Sequence, residues 1–111
     1  MLPAALICLA TPSVAQTQGS CVTGNLLRVD AGFSRPGSGG TFNYSAQVTN
    51  LTARPVTFRI AFRMTNAQPN QAVLARPQTL PGQASQVFVL GNGMALSTPI
   101  RIMGGVLLTC G

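Results

Sequence analysis

Histidine, lysine, glutamate and tryptophan are all missing from this chain, and one acidic side chain, Asp30, stands against seven arginines. Each absence excludes something. A lone Asp cannot divide acid and base work with a second group, and no set of imidazole or carboxylate ligands exists to hold a metal. A cysteine nucleophile would lack the base that activates it, as would the serines and Tyr44. The expectation is a protein that is not an enzyme and needs no cofactor. Any catalytic site would have to be completed by another chain. Aromatic residues are only 5% of the chain, which removes the stacking platforms that single-stranded nucleic acid engages, so nucleic acid is disfavoured as a partner. Charge is sparse as well, at 7% against 46% hydrophobic residues, a balance that suits a packed core and not a disordered chain. At 111 residues there is room for one domain.

What is present begins with an apolar run, LPAALICLA at residues 2–10, followed by TPSVA. A short apolar stretch ending in Pro and then small residues is the pattern of a cleaved export signal. Ser13 and Ala15 occupy the positions three before and one before the cut, which falls ahead of Gln16. The run is shorter than the roughly 20 apolar residues a transmembrane helix requires. No Arg precedes Arg28, so the usual positive charge is missing, and a start further upstream would supply it. The expected organisation is an export signal over 1–15 and a single β domain over 16–111, with no transmembrane segment after cleavage and a periplasmic or extracellular location. The Ala-, Gly- and Arg-heavy, lysine-free composition points to a GC-rich bacterial genome.

Cys8 lies in the apolar run, which leaves Cys21 and Cys110 near the two ends of the mature chain. A pair of cysteines in an exported protein reads as a disulfide. Closing so long a loop constrains the unfolded chain by roughly 4–5 kcal/mol in the chain-entropy picture. It also requires the first and last strands to meet at one end of the domain. A lipid-anchored Cys21 is the rival reading, but residues 18–20 (QGS) lack the leucine-type residue expected three positions before such a site.

Residues 56–64 alternate strictly. Val56, Phe58, Ile60, Phe62 and Met64 share one face, and Thr57, Arg59, Ala61 and Arg63 the other, the period of a half-buried strand. Residues 41–49 repeat the pattern with Phe42, Tyr44, Ala46 and Val48 inward. The short polar link NLTAR between them predicts one antiparallel hairpin over 41–64. An earlier strand is expected over 26–33, with Leu27, Val29, Ala31 and Phe33 inward and Arg28 beside Asp30 on the outer face. Residues 35–40 (RPGSGG) read as a turn; they lack the Lys and following helix of a phosphate loop. Residues 65–71 read as a loop, 72–75 as a short strand, and 78–83 as a strand end with a tight turn. Residues 85–90 read as a strand apolar on both faces, covered on both sides or bulged, and broken at 91–93 (GNG). The segment 99–110 reads as a final strand kinked at Gly104 and Gly105. No helix is expected beyond the export signal, with at most one turn in 94–98.

Six to seven short strands with regular turn signals describe a small antiparallel β-sandwich; a small barrel is the alternative. The stretch VTN at 48–50, a short turn, then Pro55 and Val56 is similar to what many extracellular Ig-like and fibronectin-like modules show. That resemblance implies an Ig-like or fibronectin-like form and nothing about a ligand. The tryptophan and mid-strand cysteine pair of antibody domains are absent.

The arginines are the candidate binding groups. Arg59 and Arg63 fall on one exposed face, about 13 Å apart along the strand, and Arg28 or Arg101 joins them if the strands pair suitably. Such a face suits an anionic polymer or a lipid headgroup. The competing reading is that arginines keep a nearly acid-free surface soluble. Asn43 and Asn50 match the glycosylation acceptor pattern and both read as reachable, although the pattern has no meaning in most bacteria. The leading expectation is an exported, non-catalytic module that binds or supports a protein partner or other component of the cell envelope. The alternative is a subunit or assembly factor of a surface fibre, against which residues 16–20 are too short and polar to act as a donated strand.

Overall fold

The computed structural model describes residues 18–110, so the expected export signal and Cys8 lie outside the described residues. In chain order the elements are α1 (Ser20–Thr23), β1 (Leu27–Pro36), β2 (Phe42–Asn50), β3 (Val56–Phe62), β4 (Ala67–Pro69), α2 (Gln71–Leu74), β5 (Gln78–Leu80), β6 (Ser85–Gly93), α3 (Pro99–Gly104) and β7 (Val106–Cys110). The strands form two sheets, one of four strands in the order β1-β2-β6-β4 and one of three in the order β5-β3-β7. Every pairing is antiparallel. This is a small β-sandwich, not a closed barrel.

Alternation along the strands supplies the core. Leu27 and Val29 of β1, Tyr44, Ala46 and Val48 of β2, and Phe88 and Leu90 of β6 are buried in one cluster with Phe58, Ile60 and Phe62 of β3 and Val106 and Leu108 of β7. Phe58 meets Phe88 edge to face across the sheets, with ring centroids 5.9 Å apart. Each large side chain buried in this way contributes about 1.5–3 kcal/mol.

One end of the sandwich is closed covalently. Cys21 in α1 is bonded to Cys110 in β7 across a sequence separation of 89, with Cα atoms 5.1 Å apart. The segment before α1 runs along the outer edge of β7, where Leu108 N donates to Gln18 O at 2.7 Å. Gly19 permits that approach. Its φ is +100°, and a Cβ there would lie 2.2 Å from Leu108 O.

Several expectations are corrected. Residues 41–64 are not a hairpin: β2 pairs with β1 and β6, whereas β3 pairs with β5 and β7, so the link between them crosses from sheet to sheet. A crossover and a hairpin leave the same period-two pattern on their flanking strands. What directs the crossing is Asn50, which is 0% exposed. Its Nδ2 donates to Arg54 O at 2.7 Å, Leu80 O at 3.0 Å and Pro81 O at 3.1 Å, and its Oδ1 accepts from Thr52 N at 2.8 Å. The asparagine of the second glycosylation pattern is therefore buried, its side chain holding the turn together, and is not a reachable acceptor.

In β1 the register slips between Val29 and Ala31, so Gly32 takes the inward position and Ala31 and Phe33 are only half-buried. Residues 72–75 fall in the helical turn α2 and its C-cap, because the Asn70 side chain caps its start by accepting from Ala72 N at 3.2 Å. The supposed loop 65–71 holds β4. β6 runs through the GNG segment to Gly93, where β4 pairs with it; its outer residues Val87 and Val89 are exposed, so of the two readings of this strand the bulged one holds, the register slipping opposite Tyr44 and Ser45. Residues 99–104 are helical: Thr98 caps α3 by accepting from Arg101 N at 3.2 Å, and Pro99 takes a first-turn position where its missing N–H costs nothing. Gly104 and Gly105 end that helix; they do not kink a strand.

Candidate functional site

The end opposite the disulfide is built differently. There β1 finishes at Pro36, β2 begins at Phe42, β6 finishes at Gly93, and β3 finishes at Phe62 against Val106 of β7. α3 packs chiefly against β1, accepts from Gln18 Nε2 at Met103 O (3.0 Å), and sinks Ile102, fully buried, into the core. Gly32 of β1 allows α3 to sit so close, since a Cβ there would lie 2.7 Å from Pro99 O. Just past β3, Arg63 N donates to Gly105 O at 2.9 Å, which fixes Arg63 beside the junction of α3 and β7. A turn follows in which Ala67 N donates to Met64 O at 3.2 Å, with Asn66 at a positive φ of 64°.

These elements border a wide, shallow cleft of about 590 Å³, lined by Phe62, Arg63, Met64, Pro69, Arg101 and Gly105 among others. A smaller hollow of about 80 Å³ adjoins it, sharing Met64, Thr65 and Arg101 and bounded by Tyr44 and Leu96. The Tyr44 hydroxyl donates to Ala95 O and so ties the connection after β6 to the core. Arg63 and Arg101 are both exposed. No side-chain acid of the chain balances them, because Asp30 lies towards the other end of β1, where it accepts from Arg28 Nε and Thr49 Oγ1. The chemistry available at the cleft is attraction and hydrogen bonding of an anion by two guanidinium groups.

The four arginines singled out in the sequence are thus divided. Arg63 and Arg101 come together at the cleft. Arg59 projects from the outer face of the three-stranded sheet, with its Nη1 3.5 Å from Ala75 O, beside a separate hollow with Thr57, Pro77 and Thr109. Arg28 is on the four-stranded sheet in an ion pair with Asp30. Sequence reasoning passed over Arg35, whose guanidinium lies 5.0 Å from the Phe33 ring centroid near the cleft end of β1. It also passed over Met94, Leu96 and Ile100, which are 74%, 68% and 82% exposed. The available signal was Met94 and Leu96 in a segment expected to hold at most one turn, with Ile100 just beyond it at the start of the expected strand.

No family model, curated protein or solved structure matches the chain. Among the described residues no helix is long and apolar enough to cross a membrane.

Proposed function

We propose that this chain is an exported, non-catalytic β-sandwich module that binds an anionic component of the cell envelope through the end bearing Arg63 and Arg101. The observation that carries the reading is that both arginines line one cleft, in a chain whose single acidic side chain is engaged elsewhere. The apolar run and small-residue cleavage pattern at 2–15 support export. So does the Cys21–Cys110 bond, a feature of oxidising compartments such as the periplasm or the cell exterior. The order β1-β2-β6-β4 follows the A-B-E-D order of an Ig constant-type sheet, and β3 beside β7 follows C beside F, which supports an Ig-like form.

The test is titration of the purified, oxidised protein with dextran sulfate, followed by calorimetry and by amide chemical shifts. The R63Q/R101Q variant is expected to bind at least about tenfold more weakly, the loss of a charge-assisted hydrogen bond or more. The R28Q/R59Q variant, which loses as many charges away from the cleft, should bind nearly as the wild type does. Equal weakening in both variants would assign the binding to net charge and reject the cleft.

A further inference from the structure

Resting on that reading, we infer that the anionic component is a lipid surface, which Met94, Leu96 and Ile100 enter while Arg63 and Arg101 contact its headgroups. Among the described residues eight large hydrophobic ones are exposed, and five of them, Leu26, Leu51, Val87, Val89 and Leu107, are 36–49% exposed and scattered over strands and turns. The remaining three are 68–82% exposed and fall within one short stretch, the connection from β6 to the first turn of α3.

That stretch is held from beneath. Ala95 O accepts from the Tyr44 hydroxyl, and Ser97 N donates to Ser34 Oγ at 3.2 Å. Alternate residues therefore anchor the backbone, and the intervening Met94 and Leu96 are left projecting. Side chains this exposed suit a soft interface into which apolar groups can sink. Arg101 follows Ile100 directly and lines both hollows, one of them with Leu96 and the other with Arg63. Apolar tips flanked by long cationic side chains match the layering of an anionic membrane surface, apolar below and charged above. A second copy of the chain is a poor occupant, since each copy carries a formal charge of +6 and no free acid to offer the other.

The experiment is co-sedimentation of the oxidised protein with phosphatidylcholine vesicles and with vesicles containing phosphatidylglycerol, with dextran sulfate binding measured in parallel. The wild type is expected to bind the anionic vesicles, to leave the neutral ones in solution, and to be released by high salt. The L96S/I100S variant should lose vesicle binding by about tenfold or more, the effect of removing one buried apolar side chain, and should keep its affinity for dextran sulfate. The V87S/V89S variant, altered on the sheet face, should behave as the wild type on both probes. Urea unfolding of each variant verifies that it is folded. Vesicle binding that survives L96S/I100S, or binding of dextran sulfate without any binding of vesicles, overturns the lipid assignment and leaves the anion-binding reading standing. Dextran sulfate binding that survives R63Q/R101Q overturns that reading itself.

Discussion

One end of the sandwich is closed by a disulfide and a buried polar turn, whereas the other, though its backbone is hydrogen-bonded, presents a cleft and exposed side chains. The closed end holds the Cys21–Cys110 bond, the contact of Gln18 with β7, and Asn50 with its carbonyl and amide partners drawn from two turns. The open end holds a cleft, two arginines without a local acid, and the three most exposed large hydrophobic side chains among the described residues. Poor packing does not account for the difference. The same β3 that buries Phe58 near the disulfide buries Phe62 at the cleft, and no buried side-chain nitrogen or oxygen among the described residues lacks a hydrogen-bond partner. The covalent link and the buried polar turn lie at one end, and the other presents exposed arginine and apolar side chains.

The comparison fails most visibly if the closed end proves dispensable. Replacing both cysteines, Cys21→Ser with Cys110→Ser, is expected to destabilise the protein by about 2–5 kcal/mol, read as a lower urea midpoint. Reduction of the wild type should produce the same shift. Asn50→Ala comes next, at about 3 kcal/mol, because it strips partners from the Thr52 amide and from carbonyls of Arg54, Leu80 and Pro81 inside the protein. Asn50→Asp keeps the acceptor but sets a carboxylate against those carbonyls, so it should be no more stable than the Ala variant. An Asn50→Ala protein that unfolds with the wild type would show that solvent enters this turn freely, and the contrast between the ends would then rest on the disulfide alone.

The sequence disclosed this closed end unevenly. The disulfide pair was legible because reading residues 1–15 as an export signal leaves Cys21 and Cys110 as a pair, in a chain with no histidine to activate a thiol. The strands β2 and β3 were legible because each buries one face, and period two records that directly. Their assignment to different sheets was not, since burial against a strand in the opposite sheet and pairing in the same sheet leave identical patterns. Asn50 marked the crossing, but a polar residue beside a turn ordinarily signals exposure, and here its side chain replaces missing backbone partners. α3 was disguised in a different way. Ile100 and Ile102 are spaced like strand residues, and the capping of Thr98 with Pro99 decides for a helix. With a strand assumed there, Arg101 had no fixed relation to Arg63, so half of the candidate site was listed without being located. Arg28 and Arg59 were grouped with them on charge alone, and the strand order separates them.

Smaller effects belong to the open end. Thr98→Ala removes the cap of α3 and should cost about 1 kcal/mol, with the perturbation in amide exchange confined to residues 99–105. R63Q and R101Q should each stay within about 0.5 kcal/mol of the wild type, because neither guanidinium has a carboxylate partner to lose. The same holds for L96S and I100S, whose side chains already lie mostly in solvent. These near-zero values carry the argument as fully as the large ones. A side chain that contributes nothing to folding and is needed for binding belongs to an interaction surface. If Leu96→Ser instead cost several kcal/mol, that residue would be part of the core in solution, and the open end would be a second closed one.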